Sequence, residues 1–336
     1  MKKNLLGWLA MATMLVGTGC SSDDVVNDYS PENAIEFGTY LGRDAQGRAT
    51  ITDATSLQTT GFGVFAYLNA SGTYTNANFM KNTQVSTSSW TYGPTKYWPN
   101  DNTNKLSFFA YGPYGDENID NVNDAGADNT ITYTVDGDIA KQTDFVVAAP
   151  ILNKGQGDFS TSNGKVKFTF AHMLSRIAFS AKKSNADAAT VTINWINLTG
   201  NFFTTGTVDM SANAPAIVGT GTATEQTYTF TKGEEFNTAE AELETTADNL
   251  TTGDTKYLMV IPSEINDYTI TVNYTVSYSD GSDPVTSTIT SSPIRISFTA
   301  GNAYLFNLDV KLNAIEFAQP IVTGWSDSTT PVVPSF

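Results

Sequence analysis

The sequence predicts an all-β protein built from β-sandwich domains, and three observations support this prediction. Charged residues make up only 15% of the chain and aromatic residues 12%, which is typical of a folded, secreted β-protein and not of a disordered chain. Short runs of aromatic and β-branched residues recur, separated by Gly, Pro, Asn and Asp. The sequence shows no helical stretch of comparable strength between the runs, which favours a sandwich over a parallel α/β sheet.

The first residues of the chain predict a secretory signal and not a structural element. Lys2 and Lys3 form a positively charged start, residues 5–16 are an apolar run, and residues 17–19 are small. The apolar run is too short to span a bilayer comfortably, and small residues are typical of a cleavage site. We therefore expect residues 1–19 to be removed on export.

Cys20 follows this signal directly and is the only cysteine of the chain. It cannot form an internal disulfide, and a redox or metal role would require a partner residue. Its position after small residues is typical of a bacterial lipobox, although Leu15 is one position farther from the cysteine than usual. We therefore expect Cys20 to be acylated, and two or more acyl chains give a stable membrane anchor.

Removal of the signal takes away two lysines and leaves 16 basic against 34 acidic residues, a net charge of −18. A surface with this charge repels nucleic acid and anionic lipid. The composition therefore argues against nucleic acid as a partner.

One pentapeptide, Asn-Ala-Ile-Glu-Phe, occurs at residues 33–37 and again at residues 313–317. In each copy Ile and Phe alternate with Ala and Glu, which is the period-two pattern of a strand with one buried face. Either the same strand is encoded at both ends, or two unrelated strands share β-favouring residues. Arg48 followed by Ala49 is a trypsin-like cleavage candidate after the first copy. Proteolysis there would remove one copy and leave the other.

The mature chain, at about 315 residues, exceeds the usual size of a single core, so we expect two domains. Residues 153–164 are rich in Gly, Ser and Asn and have no apolar period, which indicates a boundary. The first sandwich is therefore predicted over residues 49–160. Its predicted strands are residues 62–67, 105–111, 130–135 and 143–150.

The second half of the chain predicts another sandwich over residues 161–325, followed by a tail at residues 326–336. Gly301-Asn302 and Asp280-Gly281 are turn signals between or before predicted strands. The predicted strands are residues 166–170, 177–180, 190–196, 226–230, 257–261, 268–278, 293–298 and 304–312.

Short segments spread over nearly the whole mature chain occur in the order found in one known family. They are residues 47–50, 62–67, 90–92, 97–99, 105–113, 170–176 and 324–325. No single segment is decisive, but together they make the chain resemble a fimbrillin, a major-fimbria-type pilin of the Bacteroides group that builds type V pili. Ser21-Ser22-Asp23-Asp24 is similar to the acidic tag of surface-exposed lipoproteins in that group.

The resemblance implies two tandem transthyretin-like Greek-key β-sandwich domains and a structural, non-enzymatic role in a surface pilus used for adhesion. It also implies export as a lipid-anchored precursor on the outer face of the outer membrane. An arginine-specific protease would then remove the first strand, and a strand from another pilin subunit would fill the groove by donor-strand exchange. The mature form would lie in the fimbrium.

Carried onto this chain, the cleavage falls between Arg48 and Ala49 and removes residues 20–48, including the displaced strand with Ile35 and Phe37. Arg43 is a second candidate cleavage site, and Arg48 also has the ordinary interpretation of an exposed basic residue.

Strand exchange is also physically plausible without the resemblance. If Ile35, Phe37 and Leu41 pack in the core, each contributes about 1.5 to 3 kcal/mol, so roughly 4 to 9 kcal/mol in all. This is comparable to the whole stability of a domain, and losing the strand leaves an apolar groove with unpaired backbone groups.

Two segments are candidates for the donor strand. Residues 313–322 offer Ile315 and Phe317 at the same spacing as in the first copy, followed by Ile321. If this segment is instead the last strand of its own sandwich, the tail at residues 329–336 becomes the donor, although each proline there costs a ladder hydrogen bond unless it faces an edge.

The sequence offers little other chemistry. His172 has no evident metal co-ligand or nucleophile partner, so we predict a structural residue, no catalytic site, no metal and no cofactor. Trp90, Tyr92 and Trp98 either form an exposed platform that stacks on sugars or cap a sandwich core.

The favoured function is a pilus subunit. The alternatives are a non-polymerising surface lipoprotein that binds glycan, or a pilus tip or anchor subunit.

Overall fold

The structure is a computed structural model. It describes residues 33–41, 54–69, 74, 77–86, 89–101, 103–120, 129–162, 164–184, 189–236, 242–244, 248–250, 257–311 and 314–325. The predicted signal, Cys20, the cleavage candidates Arg43 and Arg48 with Ala49, and the tail at residues 326–336 lie outside the described residues.

The described residues form a nearly all-β protein, as the sequence predicts. One short α-helix, α1, spans Ala54–Thr60, and 3₁₀ turns span Ile139–Lys141 and Gln156–Ser162. The strands are β1 Glu36–Leu41, β2 Phe62–Leu68, β3 Met80–Val85, β4 Leu106–Gly112, β5 Ile119–Asp120, β6 Thr130–Thr134, β7 Val146–Ala148, β8 Ile151–Lys154, β9 Lys165–His172, β10 Ser175–Lys183, β11 Ala189–Phe202, β12 Thr205–Asp209, β13 Ile217–Gly219, β14 Thr224–Thr231, β15 Asp248–Asn249, β16 Leu258–Val260, β17 Ser263–Tyr278, β18 Val285–Thr290, β19 Ile294–Phe298, β20 Asn302–Lys311, β21 Ala314–Phe317 and β22 Ile321–Gly324.

The first sheet has seven strands in the order β1-β9-β7-β4-β2-β3, with β8 also paired to β4. All its pairs are antiparallel except β1 with β9. Its central strands β2 and β4 are buried on both faces, which explains why their sequences are continuous apolar runs without alternation.

Two further sheets pack face to face in the second part of the chain. One contains β15-β10-β20-β21, with β16 paired to β10 and β22 to β20; the other contains β14-β11-β17-β18, with β19 paired to β17. Long strands such as β17 alternate buried and half-exposed residues, as expected for one face on the core. The ring of Phe179 on β10 lies 5.0 Å from that of Phe230 on β14, so the two sheets share a sandwich core.

Strand pairing continues across the predicted boundary at residue 160. β9 lies beyond that position and yet pairs with β1 and β7 in the first sheet. A four-stranded sheet, β13-β12-β6-β5, joins β6 from the first half to β12 from the second. The predicted boundary therefore does not coincide with a change of sheet, and the tandem two-domain arrangement stays a prediction.

Among the described residues, no helix is long and apolar enough to cross a membrane.

Candidate strand-exchange site

β1 is the edge strand of the first sheet and pairs in parallel with β9. The register runs from Glu36 opposite Lys165 to Leu41 opposite Phe170. Lys165 Nζ also lies 3.1 Å from Glu36 Oε2, on the exposed side of the pair. A strand held by one ladder at a sheet edge is the type of strand that another chain can replace.

Ile35 and Phe37 point from the start of β1 into the core, and each is only 1% exposed. The Phe37 ring stacks on Phe168 of β9 at 5.8 Å and meets Phe108 of β4 edge-on at 6.1 Å. The two side chains together contribute about 3 to 6 kcal/mol of burial free energy, before the aromatic contacts are counted. The segment before and within β1 is thus a core element that lies at an edge.

The loop at residues 92–98, after β3, forms hydrogen bonds to the beginning of this segment and is called the clamp loop. The Ile35 N–H donates to the Lys96 carbonyl at 2.9 Å, and the Trp98 N–H donates to the Asn33 carbonyl at 2.9 Å. The Tyr92 hydroxyl donates to the Ile35 carbonyl at 2.8 Å, and burial raises the pKa of Tyr92. The segment is therefore bonded on both sides, by β9 and by the loop.

The aromatic residues proposed as a sugar platform lie around this clamp. Trp98 is 3% exposed and packs between Phe108 and Phe159, with ring centroids 5.7 and 5.4 Å away. Trp90 is half-buried and its ring lies 5.4 Å from that of Phe62, while Tyr92 is half-buried and packs on Phe37 at 5.2 Å. The structure does not bring the three rings together on an exposed face, because their apolar surfaces cover the core beneath β1.

The second copy of the pentapeptide also forms an edge strand, but in a different sheet. β21 pairs antiparallel with the second half of β20, and β22 pairs with the first half. Ile315 is 9% exposed, and Phe317 and Ile321 are half-buried. Glu316 forms an ion pair with Lys311. In the single chain this segment therefore completes its own sheet.

Trp325 fixes the end of β22 against the first sheet. Its ring stacks on His172 at the end of β9, with centroids 4.2 Å apart and planes 4° apart, and it is 8% exposed. The Arg176 guanidinium carbon lies 5.1 Å from the centre of the same ring. His172 Nδ1 is 2.7 Å from Asp144 Oδ2, so the predicted structural histidine connects a buried carboxylate to this tryptophan.

Most of these partners could not be predicted from the sequence. The roles of Tyr92, Lys96 and Phe108 depend on contacts between segments far apart in the chain, and no local pattern encodes them. Among the described residues there is no group of three or more His, Cys, Asp or Glu side chains that could hold a metal ion. The prediction that the protein needs no metal or cofactor is not tested by this observation.

Comparison with known proteins identifies the family. A family model described as fimbrillin-like matches residues 47–325, which is most of the chain. The chain belongs to the fimbrillin-like family. This fimbrillin-like chain is 26% identical to fimbrium subunit Fim1C of Phocaeicola vulgatus, over 97% of both chains. Its fold is similar to the crystal structure of a fimbrial protein from Bacteroides vulgatus, with a TM-score of 0.64 and 22% identity, covering 88% of this chain and 100% of that one.

Proposed function

We propose that this fimbrillin-like protein is a structural subunit of a surface fimbrium that serves adhesion, and that subunits join by donor-strand exchange at the position of β1. One observation carries the proposal: Ile35 and Phe37 are fully buried but belong to a segment at the edge of a sheet, which precedes the family match at residues 47–325. Replacing this segment by an equivalent strand preserves the core and links two subunits.

Processing is the first step of the proposed assembly. The protein is exported with an acylated Cys20, is anchored on the outer face of the outer membrane, and is cleaved by an arginine-specific protease between Arg48 and Ala49, or else after Arg43. The cut lies beyond the end of β1 at Leu41, so it breaks the covalent link to the rest of the chain without breaking the β1–β9 ladder. The strand therefore stays in place until a competing strand displaces it.

The donor segment proposed here is residues 313–322 of another subunit. Ile315 and Phe317 repeat the spacing of Ile35 and Phe37. In their own subunit they are less buried than the first copy, since Ile315 is 9% exposed and Ile35 only 1%. Moving them into the β1 groove therefore increases apolar burial, while Ile321 leaves β22. The tail at residues 326–336 is the second candidate, because β21 and β22 remain in their own sheet if the tail is the donor.

Charge matching supports residues 313–317 as the donor. Glu36 forms an ion pair with Lys165 across the β1–β9 ladder, and Glu316 occupies the same place in the second copy. In the proposed exchange Glu316 leaves Lys311 and takes the position of Glu36 beside Lys165. Both ion pairs are exposed to solvent, so this charge match adds little to the affinity of the donor strand for the groove. It serves mainly to select the register of that strand against β9.

Cleavage of the lipid-free protein tests the proposed function. Incubation with an arginine-specific protease is expected to give an N-terminus at Ala49 and a ladder of SDS-resistant polymers. The double variant Ile315→Asp, Phe317→Asp should be cleaved equally but should form no ladder. Val285→Asp is the matched control, because Val285 is 52% exposed on β18, outside the proposed donor segment, and its change should leave the ladder intact.

The other outcomes discriminate between the alternatives. A protein that resists cleavage, keeps Cys20 and stays monomeric fits an anchor subunit or a non-polymerising lipoprotein, and it contradicts the proposal. The ladder could also persist in the double variant but disappear when residues 326–336 are deleted. That result would support strand exchange with the tail, and not residues 313–322, as the donor.

A further inference from the structure

A polar cleft lies beside β3, at the edge of the first sheet opposite to β1. Its volume is about 550 Å³, within the range of roughly 300 to 1,000 Å³ that is usual for small-ligand sites. Its wall carries hydroxyl, amide and ammonium groups and two tyrosine rings. The lining residues that matter most here are Lys81, Asn82, Gln84, Thr91, Tyr92 and Tyr114.

One wall of the cleft is shaped by an irregularity in the β2–β3 ladder. The register shifts between Val64 and Ala66, so that Lys81 and Asn82 of β3 together oppose a single residue of β2. Asn82 has a φ of 41°, in the left-handed region that few residues other than glycine adopt readily. Bulges of this kind redirect side chains and are frequent next to functional sites.

Gly63 makes the space for this arrangement. A Cβ atom at that position would lie 2.3 Å from the Tyr111 ring and 2.5 Å from Asn82 Oδ1, so no larger residue fits. The Tyr111 hydroxyl donates to Asn82 Oδ1 at 2.8 Å. This bond uses the acceptor of the Asn82 amide, and in the described part of the chain no group accepts a hydrogen bond from its Nδ2.

The opposite wall is tied to β3 by backbone hydrogen bonds. The Ser86 N–H donates to the Thr91 carbonyl at 3.0 Å, and the Thr91 N–H donates back to the Ser86 carbonyl at 2.9 Å. Gln84 Nε2 donates to the Thr60 carbonyl at 3.0 Å and closes one side. Tyr92 and Tyr114 are half-buried, which leaves part of each side chain accessible. The cleft is therefore preformed in the free protein.

We propose that this cleft binds a carboxylated sugar at the end of an oligosaccharide. A shallow site lined by hydroxyl and amide groups suits a ligand that itself carries many hydroxyls. Lys81 supplies the charge selectivity: it is exposed, and no carboxylate of the described residues lies within ion-pair distance of it. Among the described residues that line the cleft, Lys81 is the only charged one, so the local charge favours an anionic ligand although the chain as a whole is acidic.

The proposal does not depend on strand exchange, so it can be tested on the uncleaved, lipid-free chain. Binding of sialyllactose and trigalacturonate would be measured by isothermal titration and saturation-transfer NMR, with lactose and galactotriose as neutral counterparts. At least one acidic probe is expected to bind, and its neutral counterpart to bind at least about tenfold more weakly.

Variants identify the cleft as the site of binding. Lys81→Gln is expected to weaken the acidic probe about tenfold, the effect of one charge-assisted hydrogen bond, and to abolish the preference over the neutral probe. Lys141→Gln is the charge-matched control, because Lys141 is exposed in the 3₁₀ turn at Ile139–Lys141 and does not line the cleft. Asn82→Gly keeps the left-handed backbone, removes the amide donor and should also weaken binding.

Three outcomes would overturn the proposal. These are no binding of either acidic probe, equal binding of acidic and neutral probes, or equal effects of Lys81→Gln and Lys141→Gln. A circular dichroism melting curve for each variant shows that it is folded, so a loss of binding reports on the cleft.

Discussion

Residues 33–37 and residues 313–317 have the same sequence and each contributes to an edge strand, β1 and β21, but the protein packs the described parts of the two copies differently. In the first copy both apolar side chains are 1% exposed, and the segment is bonded to β9 on one side and to the clamp loop on the other. In the second copy Ile315 is 9% exposed and Phe317 is half-buried, and the segment bonds only to β20 among the described strands.

This comparison shows that the sequence pattern determines the local conformation and the buried face, while the surrounding aromatic residues determine how strongly the strand is held. We propose that the first copy is removed, and this copy is the more deeply packed of the two. In the proposed assembly its groove is therefore the better site for the shared Ile and Phe side chains, and the covalent link through residues 42–53 would prevent exchange until the proposed cleavage.

The largest effect expected from this difference is on stability. Phe37→Ala removes a fully buried ring that contacts Phe168, Phe108 and Tyr92, and should lower the free energy of unfolding of the uncleaved protein by about 3 to 5 kcal/mol. Phe317→Ala removes a half-buried ring and should cost about 1 to 2 kcal/mol. Urea denaturation measures both. Equal losses would show that the two copies are held equally.

Trp325→Ala should loosen the second copy and leave the first unaffected. The variant loses the stack on His172 and the contact with Arg176, so β22 is expected to be destabilised by about 2 to 4 kcal/mol. Hydrogen exchange should accelerate at the amides of β21 and β22 but not in β1. Val322→Ala, at an exposed position of β22, is the control. Unchanged exchange in Trp325→Ala would mean that the tryptophan does not hold the segment.

These contrasts also show what the sequence could predict. The runs around residues 62–67, 105–111, 130–135 and 304–312 are strands, because their β-favouring composition and turn residues are local signals. The pairing of β1 with β9, and of β6 with β12, could not be predicted, since each joins segments more than 70 residues apart in the chain. Trp98 and Tyr92 illustrate the same point at the site: an aromatic cluster is visible in the sequence, but whether it covers a core or faces solvent depends on the chain beneath it.

A smaller effect is expected at the clamp loop. Tyr92→Phe removes the hydroxyl that donates to the Ile35 carbonyl, and should destabilise the uncleaved protein by about 1 kcal/mol. The same change at Tyr278, which is 39% exposed, should have almost no effect. The second copy has no equivalent of Tyr92 among the described residues, so this variant should also speed up displacement of the cleaved strand. If the Tyr92→Phe protein is as stable as the parent, the Tyr92 hydroxyl does not stabilise the first copy.

The smallest effect is expected for the two ion pairs. Glu36–Lys165 and Glu316–Lys311 are both formed by partly exposed side chains, and each should contribute less than about 1 kcal/mol in a double-mutant cycle, less still at high salt. Similar small values would mean that apolar burial, and not charge, distinguishes the two copies. A coupling energy of several kcal/mol for only one pair would reverse that conclusion.

Site-specific crosslinking tests the proposed exchange most directly. Lys165→Cys and Glu316→Cys would be combined in a lipid-free protein with Cys20→Ser and treated with a short bis-maleimide before and after proteolysis. Paired residues on neighbouring strands lie about 5 Å apart, so a Glu316 position that replaces Glu36 is within reach of position 165. The account predicts crosslinks between subunits that appear only after cleavage and reproduce the polymer ladder. Ladders that form without this crosslink, or crosslinks only within a single chain, would contradict it.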